Sequence, residues 1–175
     1  MERISTKNIT VENKNILLDT NVLIFLFWPL GLKGKEDYYA KAYSILKRKG
    51  NRFFTHHIVL SETYNRILDN EYRNYCNRNT YMNKKEWRNS VSGKEAISNI
   101  KTILVEDILN NFEICNIEID KSHIQKFIES EDLDFNDKIL SEICFKNKYY
   151  LLSDDKDFRG ENINIISANP NLSDL

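Results

Sequence analysis

The sequence predicts an α/β fold built on a parallel sheet, and three observations carry that prediction. Short apolar runs read as buried strands at Ile16–Leu18, Arg52–Thr55, Tyr149–Ser153 and Asn162–Ile166, because strands covered on both faces are apolar throughout rather than alternating. Between them lie segments with helical spacing, and strands that alternate with helices close into a parallel sheet. No internal repeat or low-complexity run interrupts the 175 residues, a length that suits one domain spanning 1–175 and is short for two.

In chain order, residues before Asn15 are polar and read as a loose lead-in. Val22–Trp28 is too apolar to face water and forms a short buried helix, stopped by Pro29 and Gly31. Gly31–Lys35 reads as an exposed loop. Tyr39, Ala42, Tyr43 and Leu46 then share one helical face, closed by Lys47-Arg48-Lys49-Gly50. From Ile58 the positions Leu60, Tyr64, Ile67 and Leu68 keep a 3.6-residue period, with Glu62 early in that helix and off its apolar stripe.

A stretch of different character follows. Tyr72–Lys94 holds six basic residues (Arg73, Arg78, Lys84, Lys85, Arg88 and Lys94) against the single acid Glu86, a net of +5 in a chain whose total is -1. The protein thus has an acidic body and a basic flap. Tyr72, Tyr75, Tyr81 and Trp87 are interleaved with those cations, a mixture suited to single-stranded RNA, with phosphates on cations and bases on rings. Arg73, Arg78, Lys84, Lys85, Trp87 and Arg88 are the RNA-binding candidates. A solvated helical hairpin or a protein-docking surface would carry the same composition.

Ile97, Ile100, Leu104 and Ile108 mark the most regular amphipathic helix. Ile114, Ile117 and Ile119 mark a third strand, and Ile124, Phe127 and Ile128 a short helix. Asp134-Phe135-Asn136-Asp137 opens another helix with Ile139, Leu140, Ile143 and Cys144 inward, and the tail after Pro170 reads as loop.

Several classes of function drop out. The apolar stretch near Leu17–Leu30 is broken by Asp19, Thr20 and Asn21 and ends at Pro29, so it does not span a bilayer. The start has no apolar signal core, which predicts a cytoplasmic protein. Cys76, Cys115 and Cys144 are odd in number and widely spaced, and read as small apolar residues in a reducing compartment. His56 and His57 are neighbours on a strand and point to opposite faces, so they do not ligate one ion; His123 has nothing to pair with. The glycines form no phosphate-cradling loop. An aspartate-nucleophile phosphatase of the haloacid dehalogenase type needs a second Asp where Asn21 stands.

What remains is a set of carboxylates. Asp19 and Asp155 lie just beyond strands, and Glu62 and Asp137 lie in the first turns of helices. In a parallel sheet with right-handed crossovers, those places share one edge. Taken singly, each has an ordinary reading: a helix cap at Asp19, a dipole-complementing residue at Asp134 or Asp137, a solvated helix residue at Glu62, a polar turn at Asp154, Asp155 and Asp157. Together, converging carboxylates repel, and a hard divalent cation such as Mg²⁺ or Mn²⁺ resolves the repulsion.

The order Leu17-Leu18-Asp19-Thr20-Asn21-Val22, Ser61-Glu62, Asp137 ahead of an apolar helix, and Leu152-Ser153-Asp154-Asp155-Lys156-Asp157-Phe158 resembles a PIN domain, from about Asn15 to Pro170. That resemblance implies a three-layer α/β/α sandwich around a central parallel sheet, with a helical insertion around residues 72–94 relative to the compact VapC-type toxins of the family. It implies a Mg²⁺- or Mn²⁺-dependent endoribonuclease with Asp19, Glu62, Asp137 and Asp155 as the acidic quartet. Asp157 would be an auxiliary ligand, and Asn21, Ser153 and Asp134 would support the carboxylates. RNA is the implied substrate, with an antitoxin protein and a second copy of the chain as further partners. The rival is a catalytically silent PIN-like module that binds RNA or protein.

Overall fold

The computed structural model describes residues 1–31, 34–79, 81–130 and 133–173. Leu32 and Lys33 of the expected Gly31–Lys35 loop, Thr80 of the basic stretch and the last two residues lie outside that set. Six strands form one sheet: β1 (Arg3–Ser5), β2 (Asn15–Leu18), β3 (Arg52–Thr55), β4 (Glu113–Ile114), β5 (Tyr150–Leu152) and β6 (Asn164–Ser167). Their order is β1-β6-β5-β2-β3-β4, and every pairing is parallel. The helices are α1 (Thr20–Phe27), α2 (Lys35–Arg48), α3 (His57–Arg78), α4 (Lys84–Asn89), α5 (Val91–Thr102), α6 (Lys121–Glu129), α7 (Phe135–Asn147) and α8 (Pro170–Ser173). They flank the sheet in the expected α/β/α sandwich.

From β2 the chain moves outward through β3 to β4, then returns to β5 on the other side of β2. With right-handed crossovers this reversal sends α6 and α7 to the face opposite α1–α3. It also makes the β2–β5 junction the switch point, where sheets of this kind open a crevice at their carboxyl edge. Ile16, Leu17, Leu18, Leu151 and Leu152 are wholly buried, which is why these strands are readable as continuous apolar runs.

Four expectations are corrected. The lead-in is not loose: β1 pairs with β6, Ile4 opposite Ile166, and Ile9 and Val11 enter the core. Three residues on a sheet edge leave too little alternation to read. The third strand stops at Ile114, after which the Cys115 N–H bonds to the Thr55 carbonyl; Ile117 and Ile119 pack on the core from an unpaired segment. The tail after Pro170 is the short helix α8, packed on β1 and β6. The long amphipathic helix widens into a π-type turn over Ile103–Leu109 after α5.

The basic stretch is a helical clip. α3 runs to Arg78, α4 folds back against it, and Ser90 joins α4 to α5, accepting from the Gly93 N–H while its Oγ donates to the Trp87 carbonyl. A β-carbon at Gly93 would come within 1.9 Å of that carbonyl oxygen, so the turn needs glycine. Trp87 is 1% exposed and packs with Ile24, Ile67, Leu68 and Ile100, its ring tilted against Tyr72 and Tyr75. It therefore offers no face to a base, and its place on the list of RNA-binding candidates is withdrawn. The Ile-rich floor under the clip captured the largest apolar side chain of the stretch. Trp87→Ala should cost about 3–5 kcal/mol of stability, read as a lowered urea midpoint. A change below 1 kcal/mol would mean that the clip is not packed as described.

Candidate metal centre

The site is assembled by strand register. Leu18 of β2 faces Leu152 of β5, so the next residues, Asp19 and Ser153, leave the sheet side by side. The Asp19 N–H bonds to the Leu152 carbonyl at 3.1 Å, and Ser153 Oγ donates to Asp19 Oδ2 at 2.8 Å. The same Oγ accepts from the Asp155 N–H at 2.9 Å. One serine hydroxyl thus fixes both loops. Asp19 also does what its ordinary reading supposed: it caps α1, with Oδ1 accepting from the Thr20 N–H at 2.6 Å. Asn21 Nδ2 reaches Oδ2 at 3.4 Å.

The other carboxylates arrive on helix starts. Glu62 is in the second turn of α3, where Arg66 stands one turn later with 3.5 Å between their charged groups. Asp137 is in the first turn of α7, with Asp134 capping that helix by position but making no side-chain cap bond. Asp19, Glu62, Asp137 and Asp155 converge on one cleft of about 330 Å³, completed by Asn21, Asp134, Phe135, Asn136 and Arg66. Asp157 does not line it; it is exposed, and its N–H caps onto Asp155 Oδ1 at 3.1 Å.

Of the two neighbouring acids after β5, the cleft takes Asp155. Asp154 turns away, paired with Lys35 and lying 3.0 Å from the Tyr39 hydroxyl. That hydroxyl also meets the Ser153 carbonyl and the Ala168 N–H, each at 3.0 Å, so Asp154 anchors α2 beneath the site.

The electrostatics record the crowding. Burial pushes Asp19 up to about 6 against the hydrogen bonds from Ser153 and Thr20, with Asp155 and Glu62 adding repulsion. Asp137 is pushed up to about 7 by burial and then by Asp19, Asp155, Asp134 and Glu62. Asp19 and Asp137 thus both record the charge of their carboxylate neighbours. Among the described lining residues Arg66 is the only cation.

The residues fit a hard divalent ion by donor chemistry: four carboxylates, oxygen donors throughout, and a surplus of negative charge. Among the described residues no three acids, histidines or cysteines already stand in ion-holding geometry. The histidines take no part. His56 and His57 do not lie on a strand with opposed side chains as expected: β3 ends at Thr55, His57 opens α3, and their ring centroids are 4.0 Å apart. His56 caps α3, its Nδ1 accepting from the Ile58 N–H, and burial pushes it down to about 4. His123, expected to be alone, sits between Asp120 at 2.7 Å and Lys146 at 3.2 Å. Cys76, Cys115 and Cys144 are free thiols.

Sequence reasoning missed Arg66, Phe135 and Asn136 as lining residues. Arg66 had a signal, its i+4 spacing from Glu62. Phe135 and Asn136 lay between two acids that drew the interest.

The PIN domain family model matches residues 16–160. The chain belongs to that family, whose members are generally nucleases dependent on divalent metal. No curated protein matches the sequence. Among solved structures, the chain is similar to one in the crystal structure of VapBC2 from Rickettsia felis bound to a DNA fragment from their promoter. That match has a TM-score of 0.47 and 15% identity, covering 87% of this chain and 96% of the other.

The raised carboxyl pKa values set a pH dependence. Asp137 keeps its proton to about 7 in the folded state but loses it near its ordinary value when unfolded. Its contribution to stability is therefore complete at low pH and is lost as pH rises through about 7. In chelator, Asp137→Asn should melt above wild type at pH 8 by about 2–4 °C for each kcal/mol of repulsion relieved, with the gap narrowing at pH 5. Parallel melting curves at both pH values would remove Asp137 from the repelling cluster.

Proposed function

We propose that this PIN domain is a Mg²⁺- or Mn²⁺-dependent endoribonuclease that hydrolyses RNA phosphodiester bonds. The observation that supports it is the convergence of Asp19, Glu62, Asp137 and Asp155 on one cleft at the switch point of the sheet. A binding module has no use for mutual repulsion of this kind, which costs stability in the metal-free state. In the proposed mechanism the four carboxylates would hold the metal. When bound, that ion supplies a water of lowered pKa and offsets charge on the phosphodiester. Ser153 keeps Asp19 and the Asp155 backbone in fixed relation, and Asn21 restrains the same Asp19 oxygen. Arg66, within reach of Glu62, is placed to meet a phosphate oxygen at the rim.

The setting we infer is the toxin of a toxin–antitoxin pair in the cytoplasm, on the motif order shared with VapC-type toxins. The described residues contain no helix long and apolar enough to cross a membrane.

Purified protein incubated with pooled cellular RNA and Mn²⁺ should cut it, and chelator should stop the cutting. Asp19→Asn and Asp137→Asn should each lower the rate by at least about 10²-fold while keeping the fold by circular dichroism. Cleavage by either variant at the wild-type rate would sink the assignment.

A further inference from the structure

We propose that single-stranded RNA is held across the acidic cleft between two flanking grips, the Phe135 ring on one side and an Arg66–Arg73 stripe of α3 on the other. The inference rests on the ribonuclease reading above. Glu62, Arg66 and Arg73 recur at helical spacing and so share a face of α3, which carries the site outward by about 16 Å from the carboxylate to the second arginine.

The surface follows that stripe. The acidic cleft shares Asn21, Arg66 and Asp155 with a neighbouring depression of about 370 Å³. Arg66 also lines a third depression, of about 220 Å³, which ends at Arg73. Arg66 is the one residue common to all three. Asp69 is the acid in that third depression, and Lys84 is paired with it, while Arg73 has no carboxylate partner among the described residues. The track beyond the cleft is therefore positive, as a phosphate backbone requires.

Across the cleft, Phe135 is the first residue of α7 and is 41% exposed. Its ring packs perpendicular to Phe127 at 5.9 Å, and it lines the cleft together with Asp137. Exposed aromatic rings hold unpaired bases by stacking, with little regard to sequence. Of the candidates expected on the flap, Arg73 lies on this track. Trp87 is buried, and Lys85 and Arg88 line none of the three depressions.

The test uses full-length Asp137→Asn protein and a fluorescein-labelled, unstructured RNA of about 12 nucleotides, with anisotropy read across a salt series. Phe135→Leu, which keeps apolar packing on Phe127, should weaken binding by about 5-fold or more, and Phe135→Trp should restore it. Arg73→Ala should lower the slope of log affinity against log salt by about 0.7. Lys14→Ala, at the opposite end of the sheet, should change neither. Equal binding by Arg73→Ala, Phe135→Leu and the parent would overturn the proposal. So would a loss confined to Lys85→Ala and Arg88→Ala, or an Arg73→Ala effect on a protein partner but not on RNA. Binding is read in a cleavage-deficient background. A protein that grips RNA along this track but never cuts it with Mn²⁺ therefore upholds the grips and sinks the nuclease reading. One that cuts RNA yet is indifferent to both substitutions sinks the grips alone.

Discussion

The hydrogen bond from Ser153 to Asp19 is the joint on which the site depends. Two chain segments more than a hundred residues apart meet there because β2 and β5 run parallel in register, Leu18 beside Leu152. Fixing Asp19 on that register also fixes α1, which it caps, and through the second bond of the same hydroxyl it fixes Asp155. A one-residue slip between the strands would break the pairing of Leu18 with Leu152 and part the two loops. The apolar packing that specifies the sheet thus also specifies the distance between two of the four acids.

The remaining two acids come from helix starts, and their cost is visible in the protonation of the cluster. Desolvation is the largest influence on both Asp19 and Asp137, with neighbouring carboxylates adding to it. A protein shaped for stability alone would place apolar or neutral groups there, since repelling buried acids weaken the fold. Arg66 relieves Glu62 in part, and Lys35 removes Asp154 from the contest altogether. What remains is a concentrated negative charge facing solvent, which a hard divalent cation would neutralise.

Much of this was legible in the sequence, for identifiable reasons. Central strands such as Ile16–Leu18 and Tyr150–Leu152 are buried on both faces, so their composition alone declares them. The quartet was found because each acid sits at a strand end or helix start, positions that a linear pattern marks. Edge elements were not legible: β1 is three residues long and half covered, and the Ile117 and Ile119 alternation is extended chain without a partner strand. Trp87 misled because aromatic residues among lysines and arginines look the same whether they face solvent or a second core. Only the floor made by Ile24, Ile67, Leu68 and Ile100 decides it, and those residues are distant in sequence. Arg66 and Phe135 were overlooked for the opposite reason, lying so close to named acids that they passed as spacing.

If the clustered acids form the proposed divalent-cation site, the melting temperature of the wild-type protein rises as Mn²⁺ is titrated at pH 7.5. A site present only in the folded state adds about 2.7 kcal/mol at a hundred times its dissociation constant. That corresponds to a rise of several degrees, which should disappear when Asp19 and Asp137 are both changed to Asn. A wild-type melting temperature indifferent to both Mn²⁺ and Mg²⁺ would contradict the claim, leaving the four carboxylates as a repelling cluster with no ion to hold.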